Sequence, residues 1–138
     1  MKTKPKRKQK SIARLLDDAA VLLQKIRRME SADENGYCRC VCCGAAKHWK
    51  EGDGGHWISR KKTATKLNEF NIHFQCKGCN GPGKSSAGPW YDKFMREKYG
   101  PVFMDALLVE SKKIYKYTRP ELETIIFRFK ERLAKLEC

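Results

Sequence analysis

The sequence predicts an α+β fold: a small cysteine-rich core of short strands with amphipathic helices before and after it. Three observations predict it. Six of the seven cysteines fall between residues 38 and 79. The same stretch is rich in glycine and holds short strand-like runs. Apolar residues recur at helical spacing on both sides of it.

Residues 1–10, MKTKPKRKQK, carry six positive charges and one proline. They read as a basic arm able to lie along phosphates. Ser11 is placed to cap a helix spanning 11–31. There Ile12, Leu15, Leu16, Ala19, Leu22, Leu23, Ile26 and Met29 form one apolar stripe. SADENGY then reads as a turn. Residues 37–88 form the core, with strands expected around Gly55 to Ser59 and Asn71 to Gln75. GPGKSSAGP, residues 81–89, is a loop by composition. Residues 89–138 read as helical. A short helix from Trp90 ends near Gly100, and a second runs from Pro101 to about Tyr117 with Phe103, Leu107, Leu108 and Ile114 apolar. Thr118-Arg-Pro-Glu121 is a capping box with proline in the first turn. The helix after it carries Leu122, Ile125, Ile126, Phe129, Leu133 and Leu136.

The chain has 138 residues, and 30 Lys and Arg stand against 16 Asp and Glu, a net charge of +14. Such an excess repels itself in a compact fold, and a polyanionic partner relieves it; nucleic acid is the usual one. No apolar run is long enough to span a bilayer and no signal-peptide pattern is present, so the sequence points away from membranes and toward the cytoplasm. In that reducing setting cysteines bind metal rather than pair as disulfides.

Cys40-Val-Cys-Cys43 and Cys76-Lys-Gly-Cys79 are two C-x-x-C pairs, the pattern of a tetrahedral four-thiolate zinc site. Cys38 and Cys42 offer other registers. The pair at 40 and 43 is favoured because Gly44 follows it and suits a tight knuckle. Four thiolates saturate zinc, so this zinc is expected to be structural. Thirty-two residues separate Cys43 from Cys76, against roughly 15–20 in a plain zinc ribbon. The extra length houses a hairpin containing Asp53-Gly-Gly-His56. An imidazole with an ordinary pKa near 6.5 suits general-base work at neutral pH. Asn80 follows the last zinc cysteine, and its amide oxygen is a hard ligand suited to magnesium.

Two C-x-x-C pairs, Asp and His on a hairpin between them, then Asn71 and a final Cys-Asn80, follow the order of a zinc-supported ββα-metal, or HNH-like, nuclease core. CysValCysCysGly, AspGlyGlyHis and PheAsnIleHisPheGlnCysLysGlyCysAsn together resemble the phage NinG family, also called Rap, of recombination endonucleases. The likeness is close over about residues 37–86 and looser through the C-terminal helices. It implies a structure-selective DNA endonuclease that acts on branched recombination intermediates, such as Holliday junctions and D-loops, inside a bacterial host. By the resemblance, Cys40, Cys43, Cys76 and Cys79 bind zinc and His56 activates the attacking water. Asn80, with Asp53, holds a catalytic Mg2+ or Mn2+, and Asn71 orients the hairpin and the base. In many HNH enzymes the metal-binding acid directly precedes the histidine. Here Gly55 does, so a bulge at the glycines is expected to turn Asp53 and His56 the same way.

Arg60, Lys61, Lys62 and Lys66 follow the hairpin and are expected to contact DNA phosphates, as are His73 and Lys84. His48 reads as a surface residue; Trp57, Trp90 and Tyr91 read as packing. Symmetric cleavage of a four-way junction is simplest with a twofold homodimer. The rival reading is a non-catalytic zinc-dependent DNA-binding module, which leaves Asp53, His56 and Asn80 unexplained as a set.

Overall fold

The fold grows from a long helix laid across a small strand pair. The structure, a computed structural model, describes residues 3–4, 8–81 and 87–138. Half of the basic arm, the greater part of the 81–89 loop and Lys84 lie outside the described residues.

Helix α1 (Ile12–Ser31) begins where the sequence places it, with Ser11 Oγ accepting from the Arg14 amide at 3.1 Å. A cap of this kind stabilises a helix by about 1 kcal/mol. Leu15, Leu16, Ala19, Ala20, Leu23 and Ile26 are buried, whereas Ile12 at the open end of the stripe is 40% exposed. Strands β1 (Tyr37–Arg39) and β2 (Ala46–His48) pair antiparallel around the first cysteine pair. This hairpin is absent from the sequence expectation because three-residue strands carry no periodic signal. A turn of 3-10 helix, Trp49–Glu51, leads into β3 (Gly52–His56), which pairs antiparallel with β4 (Ile72–Cys76). Strand β3 starts and ends earlier than expected. Trp57 still donates to Asn71 O, but the Asn71 side chain then captures Ile58 and takes the chain out of the sheet. The single turn α2 (Thr63–Lys66) fills part of the connection.

Helix α3 (Ala87–Tyr99) ends at Gly100, whose φ of 88° opens the corner, and α4 (Pro101–Ser111) follows at once. Helix α4 is shorter than expected. Beyond Lys113 the chain leaves the helix, and Tyr115 O accepts from Thr63 Oγ1, which ties this stretch to α2. Ile114 is consequently 90% exposed rather than packed. Helix α5 (Arg119–Glu137) carries both halves of the expected capping box. The fold is therefore α+β, with five helices and two small antiparallel sheets among the described residues. No helix among them is long and apolar enough to cross a membrane.

Two apolar centres hold it. Leu15 and Leu16 of α1 meet Leu122 of α5, and Ile58 meets Tyr91 and Met95 of α3 and Met104 and Leu107 of α4. Each such side chain stabilises the fold by about 1.5–3 kcal/mol when fully buried. Helices α1 and α5 run the same way: Arg119 reaches Lys10 O at 2.6 Å near their starts, and Lys25 meets Glu137 at 3.0 Å near their ends. The opposite surface of α1 lies on β3 and β4. There the backbone of Gln24 approaches Gly54 so closely that a Cβ on Gly54 would sit 2.9 Å from Gln24 Cα.

Candidate active site and metal centre

The sulfur atoms of Cys40, Cys43, Cys76 and Cys79 lie within 4.8 Å of one another, and those of Cys43 and Cys76 are 3.7 Å apart. Tetrahedral zinc with bonds of about 2.3 Å places its sulfurs about 3.8 Å apart. The four cysteines are thus placed to bind one metal ion, and they fit zinc. Each pair turns on a backbone knuckle. Gly44 N donates to Cys40 O with Gly44 at φ 77°, and the amides of Cys79 and Asn80 both donate to Cys76 O. Electrostatics asks for the ion as well. Burial would raise the Cys40 thiol, but the amides of Cys43, Cys76 and Cys42 bring it down to about 7. Burial, and then the neighbouring sulfurs, push Cys79 strongly upward. Four thiols this close cannot all ionise without a cation among them. The other two core cysteines serve packing: Cys38 bonds to Arg28 O and Ser31 Oγ, and Cys42 accepts from Gln75 Nε2 at 3.1 Å.

An open cleft of about 610 Å³ lies beside the knuckle. Asp53, Gly54, Gly55 and His56 of β3 form its floor, and Ser59, Arg60, Lys77, Asn80 and Gly81 line it further out. The sequence candidates Asp53, His56, Asn80 and Arg60 are thereby brought together. The expected bulge is not there: β3 pairs in unbroken register from Gly52 opposite Cys76 to His56 opposite Ile72. The cleft reaches both Asp53 and His56 because positions 54 and 55 have no side chain to stand between them.

His56 is half-buried, and its Nε2 lies 2.9 Å from Lys66 O. A carbonyl only accepts, so Nε2 carries the proton and Nδ1 keeps its lone pair. Burial lowers the His56 pKa below 6.5, assisted by Arg60 and Lys66 and opposed by the bond to the Lys66 carbonyl. The ring is therefore neutral at pH 7. Burial would raise Asp53, but hydrogen bonds from Lys77 at 3.0 Å and Asn80 at 3.2 Å outweigh it and hold the carboxyl below its ordinary range. Asn71 is fully buried with its amide in use: Oδ1 accepts from Ile58 N at 2.7 Å, while Nδ2 donates to Ile58 O and Thr65 O. It fastens the end of β3 to α2, the segment whose Lys66 carbonyl holds His56.

Four of the expected DNA contacts stand elsewhere. Lys66 is buried and its Nζ meets Asp17 at 2.5 Å, so its backbone, not its charge, serves the site. His73 is buried between two tyrosines of α3 instead of facing the cleft. Tyr91 OH donates to Gly55 O at 2.8 Å and so accepts from His73 Nδ1, while Tyr99 OH donates to Nε2 at 2.7 Å. Burial, then Arg27 and Lys98, push the His73 pKa down to about 3. Lys61 and Lys62 are exposed on the turn before α2 and do not line the cleft. Tyr91 is buried as read, whereas Trp90 is 55% exposed.

Sequence reasoning missed Gln24, Arg28, Lys50 and Lys77, all of which line the cleft. Lys77 was findable from its place inside the second C-x-x-C. Gln24 and Arg28 carried no signal, because nothing in the sequence says that α1 crosses β3 at Gly54.

A family model described as Bacteriophage Lambda NinG protein matches residues 1–138. No curated protein and no solved structure matches the chain.

Proposed function

Because the chain belongs to the bacteriophage lambda NinG protein family, a membership that points to a phage recombination-related protein, we propose that it is a structure-selective DNA endonuclease. In this reading a zinc-supported ββα-metal, HNH-like core cleaves branched recombination intermediates by divalent-metal-assisted hydrolysis. The observation that carries it is the His56 ring, whose Nε2 is committed to Lys66 O while Nδ1 remains a base within a cationic cleft.

His56 Nδ1 takes a proton from a water molecule that attacks the scissile phosphorus in line. A P–O bond forms, the bond to the 3′ oxygen breaks, and the strand ends as a 5′-phosphate and a 3′-hydroxyl. Asn71 and the Lys66 carbonyl hold the imidazole at the angle this transfer needs. Asp53 and Asn80 offer the hard oxygen donors that Mg2+ or Mn2+ takes, and both side chains reach the cleft. An ion held there would neutralise charge developing on the phosphate and the leaving oxygen. Arg60 supplies a phosphate contact from the rim.

The test is nicking of an end-labelled four-way junction in magnesium by wild type and His56→Ala. The variant is expected to lose about 10²–10⁴-fold in rate, the usual share of a general base, with DNA affinity retained. A non-catalytic DNA-binding module predicts no magnesium-dependent nicking by either protein. Cleavage by His56→Ala at the wild-type rate removes His56 as the base.

A further inference from the structure

Three of the cleft's lining residues come from segments that the mechanism above leaves without a role. Gln24 and Arg28 reach it from α1, and Lys50 reaches it from the turn before β3. Arg28 is held firmly. Its Nη1 donates to Trp49 O at 3.2 Å and to Gly52 O at 3.1 Å, and its guanidinium carbon lies 5.6 Å from the centre of the Trp49 ring. Its Nε is buried and has no acceptor among the described residues. Lys50 Nζ lies 5.5 Å from the centre of the same ring.

Two cations therefore share one aromatic ring beside the cleft. Neither has a carboxylate at ion-pair distance among the described residues. Asp53 feels the charge of Arg28, but its oxygens are taken by Lys77 and Asn80. Lysine 25, the third cation near Trp49, is already paired with Glu137. Both cations line the same cleft, where a polyanion laid along it would meet each of them. The guanidinium is fixed in advance through two backbone carbonyls, so little freedom is lost when it binds, and with Nη1 committed and Nε buried it offers Nη2 to a phosphate oxygen. Lys50 enters just before β3 and Arg60 follows just past its end, so cations mark both ends of the glycine floor. The cleft is open, as a polymer backbone requires.

We propose that Arg28 and Lys50 form a phosphate-binding bank that grips the DNA backbone at the start of β3, complementing Arg60 at its end. The proposal rests on the reading of DNA as substrate. It makes the N-terminal helix part of the substrate site and not merely a support for the core.

The experiment measures binding of a four-way junction and of linear duplex over a salt series, without divalent ion, for wild type, Lys50→Met, Arg28→Met and Arg28→Lys. Magnesium-dependent cleavage is followed in parallel. One phosphate contact contributes about 0.9 to the slope of log affinity against log salt, which is about eightfold in affinity near 0.1 M. Lys50→Met and Arg28→Met are each expected to flatten the slope by about that amount on both DNAs. Arg28→Lys is expected to keep the slope and lower the cleavage rate, because charge remains while the two carbonyl bonds that fix its position are lost. A purely structural Arg28 would weaken binding without changing the slope. If Arg28→Met loses zinc or melts early, Lys50→Met decides alone, since its side chain is exposed. Wild-type slopes in both methionine variants overturn the proposal even if wild type cleaves. Flattened slopes with a wild type that cleaves nothing leave the bank standing and remove the endonuclease reading.

Discussion

Replacing Gly54 by alanine tests the feature on which the cleft depends, the seating of α1 directly on β3. The added Cβ would lie 2.9 Å from Gln24 Cα, Gln24 Cβ and Gln24 O. Carbon atoms in comfortable contact stand about 3.5–4.0 Å apart. Helix and strand must therefore separate by about 0.6–1.1 Å, and two of the three obstructing atoms are backbone with no rotamer to yield. Overpacking of this kind costs about 1–3 kcal/mol. At about 2.1 cal/mol/K per residue, the 138-residue chain has an unfolding entropy of about 0.29 kcal/mol/K. The midpoint should fall by about 3–10 °C in thermal melts of zinc-loaded protein. Cleavage should fall further than stability, by about a hundredfold, because a displacement near 1 Å moves the Gln24 and Arg28 side of the cleft away from His56. Gly88→Ala is the control: no atom lies within 4 Å of its added Cβ, and it sits in α3, so its melt should match wild type or rise slightly. A Gly54→Ala protein that melts and cleaves like wild type refutes the close seating of α1.

Cys76→Ser should lose bound metal and folded structure together, read by metal analysis and circular dichroism; a well-folded, metal-free variant removes the four-thiolate centre. The pH–rate profile should be level through neutrality and fall on the acid side through a pKa below 6.5, because His56 acts as base only when neutral and burial depresses its pKa. An acid limb centred above pH 7 contradicts that assignment. His73 titrates at about 3 when folded and near 6.5 when unfolded, so its contribution to stability is complete above pH 6.5 and is lost as pH falls below it. Between pH 6.5 and 5, wild type should lose about 2 kcal/mol more than His73→Gln in denaturant titrations. Equal losses place His73 in solvent.

What the sequence revealed and what it hid divide along a physical line. Helix α1 was legible because six buried positions repeat at helical spacing behind a capping serine, and α5 because Thr118 and Glu121 spell its start. The metal centre was legible because two-residue spacing within each cysteine pair is itself the geometry of a knuckle. His56 and Asp53 stood out beside glycines. The end of α4 was hidden, since the tie from Tyr115 O to Thr63 joins residues 52 positions apart. The burial of His73 was hidden for the same reason: its partners Tyr91 and Tyr99 come from another helix. Lys66 shows the limit most sharply. Its positive charge suggested phosphate, yet only the fold shows that the charge goes to Asp17 and that the carbonyl positions the imidazole.

The parallel seating of α1 against α5 sets an order of events during synthesis. The two helices are separated along the chain by the whole cysteine-rich core, and α1 leaves the ribosome first. Until Leu122 arrives, the stripe at Leu15 and Leu16 has no cover on that side. The knuckle and the β3–β4 pair close over much shorter spans, so they can form while translation continues at about 5–20 residues per second. The outer cover of α1, by contrast, comes only when the segment carrying α5 has been made. A nascent chain stalled after α4 thus carries α1 with its Leu15 and Leu16 stripe still bare toward the missing helix.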